Sequence, residues 1–189
     1  MRKLIMWNIV TLDGYFEGTT PWDLAWHDYI WGEELEQLSI EQSKSTGMLL
    51  FGRLTYQGMA DYWQKAEGEI ADFMNTVPKA VFSRTLKEVN WNNTRLITSD
   101  TEQAVAKLKQ EPGNDLYIYG SANLSAGFMK AGLIDEYRIG VAPVVLGGGT
   151  PLFKPPADRL PLKLLEARPL QSGGVILRYE PAREGGPQS

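Results

Sequence analysis

Hydrophobic residues in this chain fall in short runs bounded by glycine or turn residues, and between the runs lie longer stretches with one apolar side. Lys3–Thr11 alternates well enough to predict a first strand, closed by the turn pair Asp13-Gly14. Residues 15–30 are aromatic and irregular, with Pro21 among them, and predict a loop plus a short helix start. Leu35, Leu38 and Ile40 predict a helix over Gly32–Ser45. Met48–Phe51 is a continuous apolar run, the pattern of a strand covered on both faces. Thr55–Tyr62 and Glu69–Asn75 read as short helices, and Lys79–Phe82 and Arg95–Thr98 as brief strands. Ser99 or Asp100 then caps a helix with Val105 and Leu108 on one side, ended by Pro112-Gly113-Asn114.

The run Leu116–Tyr119 stops abruptly at Gly120, and Ser121, Ala122 and Asn123 open a helix over Leu124–Ala131. A further apolar run ends in Gly147-Gly148-Gly149, and Leu162–Leu170 and Val175–Tyr179 flank Ser172-Gly173-Gly174 as a hairpin. This alternation predicts an α/β fold: a mostly parallel central sheet with an antiparallel hairpin at its C-terminal edge. At 189 residues one domain is expected, over residues 1–181, with residues 182–189 a polar, flexible tail.

Composition narrows the chemistry by exclusion. A net charge of −4 provides no basic field for nucleic acid. No window reaches the roughly 20 apolar residues of a membrane span, and the N-terminus lacks a signal-peptide pattern, so a cytoplasmic protein is expected. Without cysteine there are no disulfides, thiolate zinc sites or cysteine nucleophiles, and no metal is expected. His27 is the only histidine and no serine lies in a G-x-S-x-G context, which argues against a serine hydrolase.

The strand ends carry the candidate chemistry. In open α/β sheets, ligands bind outside the carboxyl ends of the strands. Phe51 is followed by Gly52-Arg53-Leu54-Thr55, Phe82 by Ser83-Arg84-Thr85, and Tyr119 by Gly120-Ser121-Ala122-Asn123. A strand ending in glycine before a helix presents free backbone N–H groups at a positive dipole end, a seat for phosphate. Arg53 and Arg84 add planar, permanent charge suited to phosphate oxygens, although surface arginines are also commonly solvated or ion-paired. The G-x-G-x-x-G fingerprint is missing after the first strand, which excludes an ordinary Rossmann enzyme.

Taken in order, several segments resemble the dihydrofolate-reductase-like superfamily, in particular the C-terminal reductase domain of the bacterial riboflavin biosynthesis deaminase-reductase. They are Thr11-Leu12-Asp13-Gly14-Tyr15, Leu50–Tyr56, Val81–Leu86, Tyr119–Ala122 with Gly132–Glu136, and Ala142–Gly149 with Leu152-Phe153. The resemblance implies a three-layer fold with helices on both faces of the sheet, and NADPH as cofactor. It places Gly52, Arg53, Leu54 and Thr55 on the cofactor's phosphates and Ser83, Arg84 and Thr85 at its adenosine end. Gly120, Ser121, Ala122 and Asn123 fall on the pyrophosphate. Gly147 and Gly148 border the nicotinamide or simply form a turn before Pro151. A homodimer, with Ala142–Leu146 as apolar material, follows from the same resemblance.

The substrate half is less specified. Asp23 resembles the carboxylate that orients a pterin in dihydrofolate reductases, and equally suits the N-cap of a short turn. Tyr15, Trp22 and Trp26 are candidates for stacking on a substrate ring, with core packing as the alternative. Asp135 and Glu136 face a pocket, a dimer surface or solvent. The expected activity is hydride transfer from nicotinamide C4 to a small nitrogen heterocycle, pterin-like or aminouracil-like. Two alternatives stand beside it: 5-amino-6-(5-phosphoribosylamino)uracil reduction in riboflavin biosynthesis, and a non-catalytic nucleotide-binding role. The deaminase half of the riboflavin enzyme needs a Cys/His zinc signature, and this sequence lacks one.

Overall fold

The apolar runs become the inner strands of one sheet. The computed structural model describes residues 1–154 and 159–182. Its strands are β1 (Leu4–Thr11), β2 (Tyr15–Glu17), β3 (Thr46–Gly52), β4 (Lys79–Phe82), β5 (Thr94–Ile97), β6 (Asp115–Tyr119), β7 (Glu136–Ala142), β8 (Thr150–Pro151), β9 (Leu162–Pro169) and β10 (Val175–Pro181). Its helices are α1 (Glu33–Ser45), α2 (Arg53–Trp63), α3 (Glu69–Thr76), α4 (Thr101–Gln110) and α5 (Ala122–Lys130), with a 3₁₀ turn over Ala25–Tyr29. The main sheet runs β5-β4-β3-β6-β1-β7-β10-β9, and β2 pairs with β8 in a small second sheet. Pairs from β5 through to β7 are parallel, and β10 is antiparallel to both β7 and β9. The predicted fold is the observed one.

Alternation along the inner strands sends side chains to two covered faces, which is why Met48–Phe51 is apolar without interruption. Leu4, Met6, Met48 and Leu50 pack with Val105 and Leu108 of α4 and Phe128 of α5. Ile5, Leu49 and Phe51 face the other way, against Tyr56 and Ala60 of α2 and Met74 of α3. On that second face Leu35 of α1 meets Trp26, Ile30, Ala142 and Ile176. The edge differs: no residue of β9 is fully buried, and Leu164 is 50% exposed.

Several sequence expectations change in detail. Asp100 does precede α4, but in the left-handed conformation and without a side-chain capping bond, so neither it nor Ser99 caps as expected. Asp135 and Glu136 face no ligand space. Asp135 Oδ2 accepts from the Leu4 N–H at 2.7 Å and pairs with Lys109 Nζ at 2.6 Å, and Glu136 is 1% exposed. Of the predicted tail only Ala182 lies among the described residues, and its N–H donates to Pro161 O at 2.9 Å. The β2–β8 pair has no sequence signal, because strands this short carry no period.

His27 sits edge-on to Trp26, and its Nε2 is buried without a partner among the described residues. Burial pushes its pKa down to about 4, against a small opposing pull from Asp28. The folded protein therefore binds fewer protons than the unfolded chain below pH 6.5. Stability is expected to fall as pH drops from about 6.5 to about 4, by on the order of 3 kcal/mol. Urea melts across that window, compared with His27→Gln, check it: the variant should lose most of the slope.

Candidate active site

Adjacent strands β3 and β6 end side by side, yet the helices that follow leave on opposite faces: α2 packs with Phe51, and α5 with Leu50. That divergence places both helix starts at the carboxyl ends of the strands, the position where open α/β sheets take ligands. Gly52 directly precedes α2 and Ser121 directly precedes α5, and neither helix start has a side-chain capping bond. The amides of both first turns are thus left for a ligand, at two converging positive dipole ends. One bond locks the convergence: the Gly52 N–H donates to Ser121 Oγ at 2.9 Å. Gly120 at φ 63° and Ser121 at φ 59° both lie in the left-handed region, and a Cβ on Gly120 would stand 3.1 Å from Thr55 Cγ2. The floor between the two helix starts is therefore a backbone surface that only glycine leaves open.

The structure brings Gly52, Thr55, Gly120 and Ser121 together, and Ala122 begins α5 beside them. Leu54 is exposed at the start of α2, and Arg53 Nη1 donates to Gln57 Oε1 at 3.1 Å. Asn123 Oδ1 accepts from Lys154 Nζ at 2.8 Å. Ser83 follows β4 on the same sheet edge; its Oγ accepts from the Thr85 and Leu86 N–H groups at 3.2 and 3.0 Å. Arg84 and Thr85 are exposed beyond it.

Above the end of β1 the loops are tied to one another. Asp13 Oδ1 accepts from Thr11 Oγ1 at 2.6 Å and from the Leu146 N–H at 3.1 Å, while Oδ2 accepts from the Gly147 N–H at 2.8 Å. These bonds, Thr11's foremost, hold the Asp13 carboxyl down at about 2. Gly149 approaches β2 so closely that a Cβ would fall 2.3 Å from Glu17 O. Gly147, at φ 76°, and Gly149 are thus required by chain geometry, whatever they border, and Gly148 is not. Glu17 Oε1 accepts from Thr150 Oγ1 at 3.1 Å, and Oε2 from the Trp22 N–H at 2.9 Å.

The substrate candidates separate. Trp26 is buried with Ile30, Leu35 and Ile176, so it is a core residue and offers no stacking surface. Trp22 is 41% exposed and lies on α2, where a Cβ at Gly58 would fall 1.9 Å from its ring. Tyr15 is half-buried in β2. Asp23 is not an N-cap, since Leu24 holds that position before the 3₁₀ turn. Its carboxyl rests against Gly18, and its backbone closes the loop through Gly18 N–H to Asp23 O at 3.0 Å.

One cluster had no sequence signal. Glu136 Oε1 accepts from Arg138 Nε at 2.6 Å and from Arg178 Nε at 2.8 Å, with Lys3 Nζ 3.7 Å from Oε2. Arg138 Nη1 donates to Gln42 Oε1, and Gln42 Nε2 donates to Tyr119 OH. Arg178 Nη1 donates to Glu166 Oε2.

The sheet order and the divergence of α2 and α5 at the strand ends give a dihydrofolate-reductase-like α/β fold. Consistent with this, the structure superposes on dihydrofolate reductase from Enterococcus faecalis complexed with NADP(H), with a TM-score of 0.64 at 13% identity, covering 96% of this chain and 97% of that one. The chain belongs to the RibD C-terminal domain family, whose model matches residues 2–176. A putative riboflavin biosynthesis protein from Shewanella sp. PV-4 has a TM-score of 0.79 at 23% identity, covering 96% and 99% of the two chains. The uncharacterized protein YyaP of Bacillus subtilis is 34% identical over 186 residues, 94% of each chain. Among the described residues no helix is long and apolar enough to cross a membrane.

Proposed function

We propose that this protein is an NADPH-dependent reductase of a small nitrogen heterocycle, pterin-like or aminouracil-like. The observation that carries the reading is the pair of uncapped helix starts at Gly52 and Ser121, locked together over a floor that only glycine leaves open. Amides of the first turns of α2 and α5 would hold the pyrophosphate, with Arg53 at the rim. Ser83 Oγ, 3.4 Å from Thr85 Oγ1, together with Arg84 would favour a 2′-phosphate. The bound cofactor supplies a hydride at nicotinamide C4. Asp13 is committed to three hydrogen bonds, from Thr11 Oγ1 and the Leu146 and Gly147 N–H groups. Asp23, whose carboxylate accepts no hydrogen bond among the described residues, is left for proton transfer beside Trp22.

Calorimetry with NADPH and NADH, followed by NADPH oxidation with pterins and aminouracils, tests this reading. Tighter binding of NADPH is expected, with a loss of about tenfold or more in Arg53→Ala/Arg84→Ala. Asp23→Asn should retain that binding and lose turnover. Turnover of aminouracil ribose phosphate alone would assign the riboflavin step. Binding without turnover would mean a nucleotide-binding protein, and no binding would overturn the proposal.

We also propose that two copies pair through β9. It is an edge strand with Leu162, Leu164 and Leu165 exposed by 38%, 50% and 41%, a surface that soluble proteins seldom leave open. Of the Ala142–Leu146 segment, Ala142 is fully buried at the end of β7, whereas Val145 is 66% exposed. Sedimentation equilibrium is expected to give a dimer, converted to monomer by Leu164→Lys; a wild-type monomer at every concentration would refute pairing.

A further inference from the structure

A cavity of about 320 Å³ lies between α1 and the β7–β10–β9 part of the sheet. Its lining shares no residue with the Gly52–Ser121 junction, and Gln42 of that lining donates to Tyr119 OH, one residue before Gly120. Trp7, Leu38 and Ile176 give it an apolar wall, and Arg138, Arg168 and Arg178 supply charge. The volume falls at the lower end of small-ligand sites, about 300–1,000 Å³.

The arginines are positioned by a buried partner. Glu136 Oε1 takes the Nε of both Arg138 and Arg178, which sets two like charges side by side. Gln42 and Glu166 each take one Nη1, and both guanidiniums keep Nη2 outside these bonds. Glu41 and Glu166 also line the cavity, so with Glu136 beneath it three carboxylates balance the three guanidiniums. It is Arg168, without a carboxylate partner among the described residues, that leaves charge to be met. Two preset forks beside an apolar wall match a flat ring that carries a carboxylate or phosphate.

We propose that this cavity is a second ligand site, for a small aromatic anion, with the ring against Trp7 and the anionic group on Arg138, Arg168 and Arg178. The inference does not rest on the reductase reading, and its test contains no nicotinamide cofactor. The probes are naphthoate and its uncharged isostere naphthamide. They are followed through the Trp7 indole N–H in nitrogen–proton correlation spectra, with the signal assigned by its loss in Trp7→Phe. Naphthoate should shift that signal saturably and naphthamide much less. Arg168→Glu, at a side chain that makes no hydrogen bond or ion pair among the described residues, should weaken naphthoate about tenfold or more, while Lys65→Glu makes the same change in net charge and should not. Equal binding of naphthamide, equal losses in the two variants, or no shift at millimolar naphthoate would overturn the site. A naphthoate response that disappears as the protein self-associates would also overturn it, because a second copy would then occupy the groove.

Discussion

Gly120→Val is expected to weaken NADPH binding about 100-fold, equivalent to about 3 kcal/mol, in titration calorimetry. Gly120 holds φ at 63°, and valine, branched at Cβ, resists that region strongly. Its Cβ would also meet Thr55 Cγ2 at 3.1 Å, on the first turn of α2. Relief requires the peptide before Ser121 to rotate, and Ser121 is itself left-handed and bonded to the Gly52 N–H. Both amide clusters then lose their common aim. The fold should survive with a cost of about 2 kcal/mol, because the change lies at a strand end. A folded variant that bound NADPH as tightly as the parent would remove the Gly120 junction from the proposed cofactor site.

Glu136→Ala is expected to cost about 3–5 kcal/mol in urea unfolding, the larger stability effect of the two. The cause is what remains: Arg138 and Arg178 would face each other half-buried, with their shared acceptor gone. Glu136→Gln retains an acceptor oxygen and should cost markedly less. Burial pushes the Glu136 carboxyl up, but hydrogen bonds from Arg178 and Arg138 outweigh it and leave the pKa below its ordinary value. A carboxyl depressed in the folded state contributes stability above its unfolded pKa, and that contribution is lost as pH falls through the folded one. Glu136→Gln should therefore flatten the acid limb of the stability profile. An alanine variant as stable as the parent would show that the guanidiniums find other partners.

Legibility in the sequence followed the reach of each signal. Met48–Phe51 and Leu116–Tyr119 announced themselves because both faces of those strands are covered, so apolar side chains run without interruption. The junctions at Gly52 and Gly120 were visible because a strand, a glycine and a helix start lie within a few residues of one another. Residues far apart were not legible. Glu136, Arg138, Arg178 and Gln42 meet only through the β7–β10 register and the path of α1, and each alone reads as an ordinary surface polar residue. Trp26 and Trp22 stand close in the sequence with similar chemistry, and only the fold puts one in the core and the other on α2.

The Asp13 carboxylate has a mechanical consequence. It is hydrogen-bonded to the turn after β1 and to the backbone at Leu146 and Gly147, while Glu17 links Trp22 to Thr150. Segments far apart in the chain are thereby riveted into one flap beside the strand ends. A flap built in this way lifts as a unit or not at all, so the Leu146 and Gly147 amides should exchange with solvent in step with Trp22.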